Sequence, residues 1–335
     1  MSLEDTLAAV GARAFPERHD LGITGLTEIN EGWECEVYAF TVTGIEDGTS
    51  RADELILRVY QGRQGAAKCE NECTALAALL GVGFPVPALL YEEEAPGIDG
   101  RPFAIVERIP GRLLGDLLGD VAPEEREALV QRFCRLLADL HALEWRSLVP
   151  NPSALDGRNG IERFLEMGRQ ITAHYGITEF DPVLAWLEDR RAAIALGSPS
   201  LTHGDYHPWN VLCPSPDKLV VIDWTNAEIQ DYRFDLAWTL LLASSTVGPS
   251  FRDRILAEYE TARGAPVEDL PYFEAIAATR RLGDIYISVR YGAEAMGMRP
   301  GAEALMSGEN RHAQAAHQLL RERTGLSVPA FAGGV

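Results

Sequence analysis

Apolar and polar positions alternate in short runs over roughly the first 110 residues, and apolar positions recur at helical spacing through most of the remainder. After an amphipathic helical opening, "LTEINEG", "ECEVYAFTVTG" and "DELILRVYQ" read as strands separated by Gly, Asp and Ser turn signals. "AAKCENECTALAALLGVG" is a helical run that stops at glycine, ahead of the breaker "FPVP". Two further strands, "ALLYEEE" and "RPFAIVERI", flank a turn at "APGIDG". Five strands with one helix after the third predict an α+β unit built on a small antiparallel sheet.

After Pro110-Gly111 the period changes. "APEEREALVQRFCRLLADLHALE" is helical with acids in its first turn. Helical patterns also cover about 161–176, 181–196, 233–247, 249–263, 271–296 and 302–323, and only the neighbourhood of 200–223 is strand-like. The organisation predicted is a β-rich lobe over 1–108, a hinge near 108–111 and a larger helical lobe over 109–335, with a helical insertion at about 145–197. A ligand cleft is expected between two such lobes.

Composition narrows the partners. With 50 acidic and 30 basic residues the formal net charge is −20, which argues against nucleic acid, since neutralising phosphates needs a basic surface. The excess acid is spread along the chain and is denser in the first lobe, so it reads as solubility. No apolar run is long enough to span a membrane, and the acidic N-terminus lacks the pattern of a secretory signal. Five cysteines without a C-x-x-C pair fit reduced thiols of a cytoplasmic protein.

The densest chemistry lies in "LTHGDYHPWNVL". Asp205 follows His203 by two positions, Asn210 follows Asp205 by five, and the apolar strand "KLVVID" delivers Asp223 thirteen residues after Asn210. Phosphoryl transfer from a nucleotide needs this inventory. One carboxylate orients the attacking hydroxyl and takes its proton, while a carboxamide oxygen and a second carboxylate hold magnesium. A buried strand presents Asp223 more rigidly than a loop would.

The spacing H-x-D-x-x-x-x-N is similar to the catalytic loop of protein kinases, and "HGDYHPWN…VIDW" resembles the aminoglycoside phosphotransferase and choline kinase branch of that bilobal fold. "NECTALAALLGVGFPVP", "IVERIPG" and "LLADLHAL" resemble it too, so the likeness spans roughly 22–300. The resemblance implies Asp205 as catalytic base, Asn210 and Asp223 as Mg2+ ligands, and Asp235 in "DYRFDLAW" as a brace for the loop. It makes His203 a packing and hydrogen-bonding residue. His207 stands where protein kinases place a phosphate-contacting lysine, and it either approaches the γ-phosphate or braces the loop.

On the nucleotide side, the β-alternation of "ELILRVYQ" puts Leu55, Leu57 and Val59 on one face and Ile56, Arg58 and Tyr60 on the other. Arg58 stands where the kinase lysine would. Glu72 lies along the apolar stripe of the following helix, where a carboxylate needs a partner, and Arg58 is the nearest sensible one. Guanidinium for ammonium changes size and geometry. There is no G-x-G-x-x-G; Gly32 alone is left for a phosphate-covering hairpin, and "ERIPG" offers backbone groups from Glu107 to Ile109 to a purine edge. ATP is the expected donor, with GTP left open.

Eleven residues separate Asp223 from Asp235 and no A-P-E follows, so the peptide-docking segment of protein kinases is missing. A hydroxyl on a small molecule is the expected acceptor, drawn from aminoglycosides, amino alcohols, sugars or macrolides. Glu228 and Asp284 are acidic candidates for binding an amine. Two alternatives stand beside the kinase reading: a catalytically silent nucleotide-binding module, and a metallohydrolase with His203, Asp205 and His207 as ligands.

Overall fold

A computed structural model describes residues 3–29, 35–62, 64–148, 160–292, 295 and 310–332. The elements in chain order are α1 (Leu3–Ala14), β1 (His19–Ile29), β2 (Cys35–Glu46), β3 (Thr49–Tyr60), α2 (Gly65–Gly81), β4 (Leu89–Ile98) and β5 (Arg101–Glu107). There follow β6 (Arg112–Leu113), α3 (Leu114–Asp120), α4 (Pro123–Ala142), α5 (Gly160–Tyr175), α6 (Asp181–Arg190), β7 (Ser200–Thr202), β8 (Val211–Ser215) and β9 (Lys218–Val221). The last are β10 (Glu228–Gln230), α7 (Tyr232–Thr246), α8 (Pro249–Arg263), α9 (Leu270–Tyr291) and α10 (Asn310–Thr324).

The chain divides into two units. In the first, β1 to β5 form an antiparallel sheet in the order β1-β2-β3-β5-β4. The period-2 pattern of β3 sorts its two faces. Leu55, Leu57 and Val59 join Phe40, Val42, Phe103 and Ile105 under Leu7 and Val10 of α1. On the other face Tyr60 and Ala104 meet Cys69 and Cys73 of α2, so Arg58 is directed to the α2 side. All five cysteines are buried free thiols.

Asp47-Gly48 and Asp99-Gly100 make the tight β2–β3 and β4–β5 turns, each residue with positive φ, as right-handed strand twist favours. The second turn is shorter than the "APGIDG" expected. β4 runs on to Ile98 through a register irregularity at Gly97, whose positive φ and closeness to the Arg101 carbonyl exclude a side chain.

Residues Leu212–Asn226 also group with this first unit, whereas a single cut after 108 assigns them to the second. Specific bonds hold them there. The Val221 N–H donates to the Pro85 carbonyl at 2.9 Å, and Asn71 Nδ2 donates to the Thr225 carbonyl at 2.9 Å. The buried Trp224 ring meets Phe84 edge-on at 6.0 Å. Asp223 therefore belongs structurally with β3 and α2.

The second unit is mainly helical. α7 is apolar nearly all round because α8, α9 and α10 each pack against it, which accounts for "LAWTLLLASS" as a buried helix. No helix among the described residues is long and apolar enough to cross a membrane. α6 ends at Arg190, short of the expected 196, because its buried stripe of Val183, Leu184 and Leu187 ends there. α9 stops at Tyr291 and not 296, while 302–309 lie outside the described residues. α3 and β10, which the hydrophobic pattern did not single out, are both short.

Gly111, in the expected hinge, has φ +128°, and a Cβ there would press on the Cys213 carbonyl. Gly111→Ala is expected to cost about 1–3 kcal/mol through strain at that backbone conformation, read as a lower urea midpoint; an unchanged midpoint removes this constraint.

Candidate active site

β7 leads into the loop 203–210, and one face of α7 grips it. Asp235, Trp238 and Thr239 stand at i, i+3 and i+4, so their side chains project together. Asp235 Oδ2 accepts the His203 N–H at 2.7 Å and Oδ1 accepts the Gly204 N–H at 2.9 Å. Trp238 Nε1 donates to Asp205 Oδ1 at 2.7 Å, and Thr239 Oγ1 donates to the Tyr206 carbonyl at 2.8 Å. Four consecutive loop residues are thus fixed by one helix. Gly204 has φ +78°, the left-handed conformation that glycine supplies at least cost.

Asp235 is 1% exposed and lies 3.2 Å from His141 Nε2, while His141 Nδ1 meets the Tyr259 hydroxyl at 2.8 Å. Burial opposes its ionisation, but His141 first and then His203 outweigh that and hold the carboxyl below its ordinary value.

His203 is fully buried, and its Nδ1 accepts the Asp205 N–H at 3.2 Å. His207 Nδ1 accepts the Trp209 N–H at 3.2 Å, and its Nε2 lies 3.5 Å from Asp205 Oδ2. Asn210 Nδ2 donates to the Asp205 carbonyl at 3.0 Å and sits 3.4 Å from Oδ2, which turns the carboxamide oxygen away from Asp205. The Asp205 side chain is 31% exposed. Burial resists its ionisation, yet His207, Trp238 and Arg280 together hold its carboxyl well below the usual carboxylate range. The loop therefore presents a fixed anion with one oxygen held by an indole.

In the first unit Arg58 and Glu72 meet as an ion pair, Nε to Oε2 at 2.9 Å. Arg58 also reaches Asp223, Nη2 to Oδ1 at 2.8 Å. Glu72, 2% exposed, accepts the Tyr60 hydroxyl at 2.5 Å and the Trp224 N–H at 3.2 Å. Burial raises the Glu72 carboxyl, with Arg58 acting against it. Burial also works against the Arg58 charge, but Glu72 and Asp223 overcome it and keep the guanidinium protonated. Asp223 takes φ +67°, and its Oδ1 also accepts from Thr225 Oγ1 at 3.2 Å. One guanidinium facing two carboxylates can neutralise only one of them.

At the end of β5 the Glu107 N–H donates to the Ala88 carbonyl at 2.9 Å and the Arg108 N–H to that of Glu54 at 3.2 Å. Of the three N–H groups expected to face a ligand, the first two are thus engaged within the protein. Ile109 has no backbone bond from its N–H among the described residues. Gly32 lies outside the described residues. Glu228 pairs with Arg163, and Asp284 lies 4.0 Å from Arg280, so each acid expected to receive an amine faces an arginine. The metallohydrolase arrangement does not form. Nδ1 of both histidines is engaged by backbone, and no group of three His, Cys, Asp or Glu side chains among the described residues is arranged to hold a metal.

Trp238, Thr239, His141 and Tyr60 were not found from sequence. The first two share the helical spacing of Asp235, and Tyr60 shares the face of Arg58, so the signal was periodicity applied to polar contacts. His141 had no such signal, because its partner lies 94 residues away.

The model of the phosphotransferase enzyme family matches residues 25–270. Viomycin phosphotransferase of Streptomyces vinaceus is 30% identical over 214 residues, 58% of this chain and 67% of that protein. Acyl-CoA dehydrogenase family member 11 of Rattus norvegicus is 32% identical over 170 residues, 48% of this chain. The chain spans about a fifth of that relative's length, 21%. Among solved structures, a putative aminoglycoside phosphotransferase from Ralstonia eutropha superposes with TM-score 0.69 at 20% identity, covering 95% of this chain and 97% of the other. The GDP complex of aminoglycoside 2'-phosphotransferase-IIIa gives 0.60 at 18%, covering 97% and 99%. A ternary complex of aminoglycoside phosphotransferase APH(4)-Ia with ADP and hygromycin B gives 0.61 at 16%, covering 99% and 100%. These likenesses show the kinase-like fold.

Asp235→Asn is expected to destabilise the protein by about 1–3 kcal/mol at neutral pH, since charge-assisted bonds become neutral ones. The Asp235 carboxyl is depressed in the fold, so its contribution is complete above the unfolded value of 3.8 and fades as pH falls below it. The gap between the melting temperatures of the two proteins should hold above the unfolded value of 3.8 and narrow as pH falls below it; a constant gap contradicts the assignment.

Proposed function

The chain belongs to the phosphotransferase enzyme family, and on that footing we propose that it transfers the γ-phosphate of ATP to a hydroxyl of a small molecule. The observation that carries the reading is the Asp205 carboxylate. It is ionised, partly exposed, and fixed through Oδ1 by Trp238, so that Oδ2 remains to receive a proton. In this reading Asp205 orients the acceptor hydroxyl in line with the phosphate and takes its proton as the new P–O bond forms. His207, close to Oδ2, favours the ionised form of that carboxylate and would approach the charge of the transferred phosphate.

Asn210 and Asp223 would hold magnesium, which supplies neutralisation of the phosphate charge when bound. The residues fit that role on their own contacts. The amide nitrogen of Asn210 is taken up by Asp205, leaving its oxygen as a hard donor. Asp223, with a side chain 38% exposed, shares Arg58 with Glu72, so a divalent ion would complete the charge balance. Arg58 would steady the phosphates from its place beside Glu72, and Ile109 would offer its N–H to the purine. His203 and Asp235 act through the loop they brace. The two units then divide the work into nucleotide binding by the first and acceptor binding by the second.

The solved complexes with ADP and GDP support a nucleotide donor, ATP or GTP, and viomycin phosphotransferase supports a small-molecule acceptor. Positioning and charge neutralisation would supply most of the acceleration. Asp205→Asn is expected to lower kcat by about 10²–10⁴ while Mg-ATP affinity is kept. ADP release against aminoglycosides, macrolides, amino alcohols and sugars checks this. Unchanged turnover rejects the role of Asp205, and Mg-ATP binding without transfer by the wild type favours the silent nucleotide-binding module.

A further inference from the structure

The chain carries a net charge of −20, yet within the second unit a cation, Arg280, stands close to Asp205. Arg280 of α9 lies with its guanidinium carbon 4.0 Å from the centroid of the Trp238 ring, and its Nη1 donates to the Gly204 carbonyl at 3.2 Å. The same indole donates to Asp205 Oδ1 at 2.7 Å. A fixed positive group therefore stands one ring away from the carboxylate that would receive the acceptor hydroxyl. Its side chain is 37% exposed, so a dissolved molecule can reach it.

Arg281 follows on α9, and α10 brings Arg311 and His312. Burial first, and then Arg281, Arg311 and His207, drive the His312 imidazole down to about 4, so it stays neutral among the cations around it. Of the nearby acids, Glu228 is paired with Arg163, and Asp284 faces Arg280 from the next turn of α9, 4.0 Å from Nε. An ammonium group beside Arg280 would meet like charge, whereas a guanidinium stacked on an indole keeps outer N–H groups for a planar or tetrahedral anion.

We propose that the acceptor of this chain carries an anionic group, carboxylate or phosphate, besides the hydroxyl that is phosphorylated, and that Arg280 binds that group and sets this specificity. The inference rests on the phosphotransferase reading above and adds the charge class of its acceptor.

The test is calorimetry on the full chain saturated with Mg-ADP, titrated with glycerate, glycerol 3-phosphate, glycerol and 3-amino-1,2-propanediol. These probes share a three-carbon skeleton and differ in charge. At least one anion should bind about 10-fold or more tightly than glycerol, and the amine no more tightly than glycerol. Comparing glycerate with glycerol 3-phosphate separates the carboxylate from the phosphate. Arg280→Gln should abolish the preference, Arg280→Lys should retain part of it, and Arg280→Glu should turn it toward the amine. Equal or undetectable binding of the anions, tighter binding of the amine, or a preference that survives Arg280→Gln overturns the proposal. Mg-ADP affinity, measured first in every variant, reports that each is folded. Its absence in the wild type removes the phosphotransferase reading and this inference with it. Mg-ADP binding without an anion preference removes this inference alone.

Discussion

A carboxylate buried as deeply as Asp235 persists in ionised form only where donors converge on it. Here they are two successive backbone N–H groups and an imidazole that is itself held by a buried tyrosine hydroxyl. The consequence is geometric. Once Asp235 fixes residues 203 and 204 to α7, the next turn of the same helix brings Trp238 to Asp205 and Thr239 to Tyr206. A turn of polar residues becomes a loop whose central carboxylate is held through Oδ1 by the indole and stays partly exposed.

The first unit solves a parallel problem with a different cation. Glu72 on the buried stripe of α2 would be costly alone, and Arg58, Tyr60 and the Trp224 N–H supply what it lacks. The fork of the guanidinium does what a lysine could not do with the same geometry, since Nε addresses Glu72 while Nη2 addresses Asp223. The arginine substitution is thus accommodated in the fold by bringing two carboxylates to separate nitrogens. In the second unit, stacking on Trp238 positions another arginine, Arg280, beside the carboxylate loop.

Much of this was legible in the chain itself. The alternation in β3 placed Arg58 opposite Leu57, and the helical stripe of α2 singled out Glu72; both meet as expected. The cluster from His203 to Asn210 and the strand before Asp223 were also marked by spacing alone. What escaped was long-range chemistry. Nothing local tells His141 that Asp235 is its partner, or tells β8 and β9 to group with the sheet they follow by more than a hundred residues. Beside Pro110-Gly111, the pairing of the Glu107 and Arg108 N–H groups with Ala88 and Glu54 was not legible either, because those partners lie on other elements. Glu228 and Asp284 looked like amine receptors because their arginine partners lie on other turns or other elements.

The account rests on Asp205 being held as an anion by His207, Trp238 and Arg280. A carbon-13 NMR titration of the aspartate carboxyls, with the Asp205 signal identified by its loss in Asp205→Asn, measures that state directly. The account predicts a resonance that stays ionised as pH falls through the ordinary aspartate range. A signal that titrates at or above the ordinary value would contradict it.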